Sequence, residues 1–219
     1  MSEQVIKQCV VYYWTIMSFL SSQSQTTTTS SAETSTTVKG FSIYENITYN
    51  ISIQYPSDWN KHEILNSDFT AVIMFLVPIK LSFSDREDSE IILQKIRDIV
   101  YNDAPTTVVV SIKRRLPVNE TWHTLRAITN NQIHLLDICF DNVSLLETSY
   151  DRKMGENPAS TLIYTYADPL ENHLNKKGMK FICLESDKEI IITYGSQYQD
   201  FDKFLSTVDG MVDTFRIVE

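Results

Sequence analysis

The sequence predicts an α+β fold, a sandwich of adjacent, mainly antiparallel strands with helices over the sheet faces. Three observations carry that expectation. Residues 143–196 hold four runs of strand composition, "VSLLETSYDRKMG", "ASTLIYTYA", "GMKFICLES" and "EIIITYGS", and turn residues fill each gap. In "DFDKFLSTVDGMVDTFRIVE", Phe201, Phe204, Leu205, Val208, Met211, Val212 and Phe215 recur at helical spacing. In "ISIQY", Ile51, Ile53 and Tyr55 alternate with Ser52 and Gln54, the period of a half-buried strand.

From the N-terminus, "CVVYYWTIMSFL" (9–20) is a twelve-residue apolar run. It is short of the about 20 residues of a membrane helix and suits a signal-peptide core. A cleaved signal peptide and an uncleaved anchor over residues 1–20 both fit. A misassigned start or a cytosolic helix is the alternative. Residues 21–40 are mostly Ser, Thr and Gln, which cannot offset their ordering entropy, so they read as a flexible tether of the O-glycosylated stalk kind. The folded body is expected over 41–219, outside the cytoplasmic membrane.

Phe41 and Ile43 form a short alternating piece, and Asn46 to Asn50 turn the chain into "ISIQY", a small hairpin. Pro56 ends that strand, and Trp59 of "PSDW" is expected to close one edge of the core. His62 and Glu63 read as a polar loop. "AVIMFLVPI" (71–79) is a continuous apolar run, as in a strand buried on both faces. Ser84 and Glu87 form a capping box before Ile92, Ile96 and Ile99, predicting a helix over 85–101. "TTVVVSIKR" (106–114) is a further strand. Thr121 is placed to cap a helix over 121–138, with Leu125, Ile128, Leu135 and Leu136 inward. "SDKE" joins the last two strands in a tight hairpin, and a helix over 200–214 ends the chain. Gly210 within it costs about 1 kcal/mol relative to Ala without removing the helix.

Net charge is −9, and the same −9 remains after residues 1–40 are removed, since Glu3 and Glu33 offset Lys7 and Lys39. An acidic body is a poor partner for nucleic acid or anionic lipid, and the charge at minimum maintains solubility. The three cysteines, Cys9, Cys139 and Cys183, make no C-x-x-C and too few pairs for a disulfide scaffold. Free, buried thiols are expected at Cys139 and Cys183, and a bridge between them is the other arrangement the sequence allows.

No nucleotide-loop, nucleophile-elbow or zinc-protease motif occurs, and the five glycines lie too far apart to cradle a phosphate. His62, His123, His134 and His173 are scattered. His134 and Asp137 stand i, i+3 on the predicted helix, a spacing that can share a metal, but a surface His beside a solvated Asp is the plainer account. "SDREDSE" (84–90) could attract a cation, but a helix N-terminus favours acids anyway. Tyr164 and Tyr166 of "LIYTYA" could stack a ligand, although aromatic strand residues usually serve the core. Four N-x-[ST] sequons, at Asn46, Asn50, Asn119 and Asn142, fall in predicted turns or element edges, where glycosylation needs them.

Three blocks, "YENITYNISIQYPSDW", "GENPASTLIYTY" and the final "VDGMVDTF", resemble PsbP-like domains, in particular secreted, archaeal-type PsbP-like proteins. The resemblance covers about residues 41–219 and rests on the spacing of all three blocks. It implies an α/β/α sandwich around a central antiparallel sheet. Such members usually carry Gly where this chain has Asn50; Asn tolerates the same positive φ, so the turn is expected to survive. The helix at 85–101 resembles an enlarged variable segment. In photosynthetic members the domain is a membrane-extrinsic subunit with a basic N-terminal arm, replaced here by the Ser/Thr tether, so that role is not carried over. A Ran-binding cytosolic relative shares the fold alone.

Composition, motifs and resemblance together predict a non-catalytic extracytoplasmic binding or assembly module with a protein partner at the cell surface. No catalytic residue, cofactor or metal ligand is assigned. The alternative is a ligand- or metal-binding accessory protein, or an enzyme whose site is dispersed in sequence.

Overall fold

The computed structural model describes residues 40–66, 70–78, 106–114, 124–168, 174–185 and 188–218. Their elements follow in the order β1 (Phe41–Asn46), β2 (Ile51–Pro56), β3 (Asn60–Asn66), β4 (Thr70–Leu76), β5 (Thr107–Arg114), α1 (Leu125–Cys139), β6 (Asp141–Met154), β7 (Asn157–Asp168), β8 (Leu174–Glu185), β9 (Lys188–Gln197), α2 (Phe201–Thr214) and β10 (Arg216–Ile217). The expected helix at 85–101 and the segments 1–20 and 21–39 lie outside the described residues.

A seven-stranded sheet runs β3-β4-β5-β9-β8-β7-β6, and a three-stranded sheet runs β1-β2-β10. Every pairing described is antiparallel. With two helices, the described residues are mostly β, and the α+β class holds in that coarse sense. The β6–β9 meander forms as expected, with Glu185 paired to Lys188 across the tight turn. Asn50 sits at φ 54, so the left-handed turn survives the replacement of Gly, and the β1–β2 hairpin closes over it.

Cross-strand partners share a sheet face, and alternate residues therefore sort into two cores. One face carries Ile73, Phe75, Val110, Ile112, Ile192, Tyr194 and Phe181. It packs against Phe201, Val208, Met211 and Val212 of α2 and against Ile51 and Ile53 of β2. The opposite face carries Leu162, Tyr164, Tyr166, Ile182 and Ile191 and packs against Ile128 and Leu136 of α1 and Phe140 beyond it. Ala71 to Leu76 are all buried, so β4 is covered on both faces as its unbroken apolar run predicts. Trp59 is buried and meets the Phe204 ring edge-on at 6.0 Å.

Two glycines are set by close approach. Tyr164, Gly178 and Gly195 form one cross-strand row. A Cβ on Gly178 would lie 2.5 Å from the Tyr164 ring, so only glycine lets that buried ring lie flat on the sheet. Gly155, at φ +57 in the β6–β7 turn, donates its N–H to the Val212 carbonyl at 2.9 Å and so docks the turn on the end of α2.

Several expectations are corrected. His62 and Glu63 are not in a loop but in β3, paired with Met74 and Ile73. An outer strand with polar residues offers little apolar alternation to read, and its pairing supplies what its composition lacks. In β1 the buried residue is Tyr44, while Phe41 and Ile43 are only partly buried. Thr124, not Thr121, caps α1, its hydroxyl accepting from the Ala127 N–H at 3.2 Å. The face of α1 against the sheet includes polar Thr129 and Gln132, and Leu135 is only partly buried. Strand β10, two residues long, is too short to carry a periodic signal in the sequence.

Cys183 is a free buried thiol, pushed up to about 11 first by burial and then by Glu185. The bridge between Cys139 and Cys183 that the sequence allows does not form.

Candidate functional site

At one end of the meander the start of β6, the end of β7, the start of β8 and the end of β9 converge. Asn142, Thr165, Tyr166, Asn175, Gln197, Tyr198 and Gln199 line a cleft there of about 620 Å³. Register explains the gathering. Ala167 is paired with Asn175, Tyr166 with Lys176, and Lys176 with Gln197. Residues from four segments thus reach one sheet end although up to 57 positions separate them, from Asn142 to Gln199.

The cleft wall is held in place. The Tyr198 N–H donates to the Asn175 carbonyl at 3.2 Å, and the Asp200 N–H to the Gln197 carbonyl at 3.0 Å, closing the turn before α2. The Gln199 amide donates to Gln197 Oε1 at 3.1 Å. Tyr166 is 4% exposed, with Phe140 at 4.3 Å and Tyr164 at 5.5 Å between ring centres, so the floor is part of the core. Tyr198 is 59% exposed at the rim. Asn142 stands at φ 52, a left-handed position that Asn tolerates. None of the seven described lining side chains carries a charge. Lys176, between Tyr166 and Gln197 across the strands, is buried and has a partner of its own.

Of the described residues singled out from sequence, only Tyr166 and Asn142 are among those lining this cleft. Tyr164 and Tyr166 are buried core residues, and Tyr166 also forms the cleft floor. His134 and Asp137 are exposed on α1. Among the described residues no three His, Cys, Asp or Glu side chains cluster as metal ligands would. His62, on β3, has its pKa lowered by burial. His123, His173, Glu87, the acidic run 84–90 and Asn119 lie outside the described residues.

The sequons differ in geometry. Asn50 and Asn142 are exposed. Asn46 is tied down: its amide donates to Tyr44 Oη at 3.0 Å and to Glu63 at 3.3 Å, and its Oδ1 accepts from the Tyr49 N–H at 3.1 Å. The Tyr44 hydroxyl itself donates to Glu63.

Under α1 lies a second polar group, enclosed rather than open. Lys180 Nζ donates to Gln132 Oε1 at 2.8 Å, and the Thr129 and Ser160 hydroxyls share a hydrogen bond at 2.6 Å. Burial pulls the Lys180 ammonium down to about 8, with Glu189 acting in the opposite sense. The unfolded chain keeps that proton up to the ordinary lysine value near 10.5. Between those values the unfolded state binds the extra proton, so this residue's contribution to stability rises with pH. From pH 7.5 to 9 the wild type is expected to gain about 1 kcal/mol over Lys180→Met. Urea midpoints of the two proteins at both pH values measure the difference; a difference that stays flat or falls contradicts the burial of this charge.

Asn175, Gln197, Tyr198 and Gln199 escape a sequence reading because they belong to no motif. The one local hint is "QYQ" (197–199), an aromatic residue between two amides where a strand ends.

By sequence, no protein-family profile and no curated protein matches the chain. By structure, it superposes on cyanobacterial PsbP (CyanoP) from Synechocystis sp. PCC 6803 with a TM-score of 0.54 at 11% identity, covering 86% of this chain and 98% of that one. LpqN, involved in cell envelope biogenesis in Mycobacterium tuberculosis, superposes with a TM-score of 0.49 at 10% identity over 77% of this chain and 83% of its own. The Saccharomyces cerevisiae Ran-binding protein Mog1p gives 0.45 at 11% identity over 82% and 96%. The CyanoP superposition shows that the fold is PsbP-like. At this identity a shared fold does not carry an activity with it.

Proposed function

We propose that this protein is a non-catalytic extracytoplasmic binding module, a secreted PsbP-like domain of the archaeal type, built as an α/β/α sandwich. Residues 1–20 deliver it across or hold it at the membrane, and residues 21–40 tether it. The cleft at the end of the meander is its recognition face. The observation that carries the reading is the chemistry of that cleft: four carboxamides, two tyrosines and a threonine, all neutral and all able to hydrogen-bond. Such a wall orients a ligand; among the described residues it places no nucleophile or near-neutral acid or base beside one. The partner at the cell surface is a protein or a surface polymer. On the same reading, Asn50 and Asn142 carry N-glycans, as does Asn119, whereas Asn46, with its amide already donating, is the poorest acceptor.

External protease applied to intact host cells is expected to remove the domain from the surface, unless it has already reached the medium. Protection until lysis, with the N-terminus retained in a soluble cytosolic fraction, contradicts the location. The non-catalytic role is tested by complementation of a deletion strain. Alanine at His62, His123, His134, His173, Asp137 or Glu87, one at a time, is expected to leave the cellular role in place. Alanine at Tyr198 and Gln199 is expected to weaken cross-linking to the partner in graded steps. If one histidine or carboxylate proves indispensable while folding and partner recovery are intact, an enzyme or metal-binding accessory protein replaces this reading.

A further inference from the structure

Resting on the reading of this cleft as a recognition face, we infer that its ligand is carbohydrate: a short, neutral saccharide held between the amides of Asn142, Asn175, Gln197 and Gln199 and the ring of Tyr198. A sugar hydroxyl both donates and accepts. A carboxamide has an acceptor oxygen and a two-proton donor, so one amide can engage two neighbouring hydroxyls in opposite senses; Gln199 and Gln197 use one such bond on each other. Four amides converge here with the Thr165 hydroxyl nearby. Tyr198, at 59% exposure, presents an apolar ring with a polar tip, and the C–H face of a sugar ring matches it. The volume of about 620 Å³ falls inside the roughly 300–1,000 Å³ of small-molecule sites.

Charge separates this ligand class from others. Among the described residues, an anionic ligand finds no cation in the lining and meets a chain of net charge −9, and a cationic ligand finds no carboxylate there. A peptide added as a strand needs an unpaired sheet edge. Strands β7, β8 and β9 are each paired on both sides, and β6 ends the sheet among the described residues, so a peptide would add along the outer edge of β6 and not across the amides of β8 and β9. The wall is also preformed. Tyr166 is packed in the core, the turn at 197–200 is closed by backbone hydrogen bonds, and Gln197 and Gln199 hold each other, which lowers the ordering cost of binding.

Asn142 is itself the acceptor of the sequon Asn142-Val143-Ser144, so the sugar could belong to another molecule or to the protein's own glycan. The test uses the full chain made in a host without N-glycosylation and an immobilised panel of neutral hexose and N-acetylhexosamine oligosaccharides, with affinities from calorimetry. Retention of at least one neutral saccharide is expected, with affinity falling tenfold or more in Tyr198→Ala and in Gln199→Ala. Asn175, Tyr198 and Gln199 are exposed, so unfolding midpoints should not move, which separates lost binding from lost fold. A second arm compares glycosylated wild type with glycosylated Ser144→Ala, which keeps Asn142 and removes the sequon. Binding of added saccharide by the variant alone identifies the protein's own glycan as occupant; equal binding by both identifies a separate sugar, and either result upholds the site. Retention of acidic saccharides only, of none, or binding indifferent to Tyr198→Ala overturns the inference. If saccharides fail but Tyr198→Ala still abolishes cross-linking to the partner, the recognition face stands with a protein ligand. If cross-linking is unchanged too, both readings fall.

Discussion

A chain ending at Gln199 will not unfold cooperatively, whereas residues 41–219 will unfold like the full chain. Helix α2 buries Phe201, Val208, Met211 and Val212 in the larger core, and Phe215 follows at 0% exposure. Burying each such side chain is worth about 1.5–3 kcal/mol, and five of them rival the whole stability of a domain, about 5–15 kcal/mol. The loss is polar as well. Tyr194 is fully buried and its hydroxyl donates to the Phe201 carbonyl at 2.6 Å, so removing α2 takes away that acceptor. Strand β10 goes with the helix, and β2 loses its partner on that side. The readouts are near-ultraviolet circular dichroism and a urea transition. A soluble truncated chain with a sharp transition would show that α2 is not a wall of the core.

Gly155→Ala is expected to cost about 3–5 kcal/mol. The backbone there is left-handed, which costs a residue with a Cβ roughly 1–2 kcal/mol. The rest comes from contact. The new Cβ would stand 2.0 Å from the Phe215 carbonyl oxygen and 2.6 Å from Arg216 Nη1. Backbone cannot rotate away as a side chain can, so the β6–β7 turn must lift from α2. That breaks the hydrogen bond from the Gly155 N–H to the Val212 carbonyl, worth about 1–3 kcal/mol when its groups are left unsatisfied. Gly40→Ala is the control: φ is +94, but nothing lies within 4 Å of its Cβ. Its cost should be backbone strain alone, about 1–2 kcal/mol. Denaturant midpoints for the two variants settle the matter, and equal losses would mean that the turn does not rest on the helix end.

These two regions were also the most legible in the sequence, and for a local reason. Helix α2 shows itself because seven apolar residues recur within one turn-to-turn pattern. The β6–β9 meander shows itself because each strand pairs with its sequence neighbour and turn residues mark every hairpin. Asn50 could be read in advance because a left-handed φ depends on one residue's own chemistry.

What depends on distant partners was not legible. Strand β3 has polar residues and an outer position, so "NKHEILN" carries little alternation, and only pairing with β4 makes it a strand. The division into two sheets follows from β10 reaching back to β2 across the whole domain. The core phase of β1 was missed because Tyr44 is buried by packing on Phe75, at 6.3 Å, and no local pattern encodes that contact. The cleft is the extreme case. Asn142, Asn175 and Gln199 are ordinary polar residues in their own segments, and antiparallel register together with the turn at 197–200 carries them to one end of the sheet. Sequence by itself therefore determined the strands and helices whose periodicity is local, and the turns whose conformation one residue sets. Tertiary structure decided which polar residues meet, because hydrogen-bond register acts across strands far apart in the chain, where composition and spacing leave no trace.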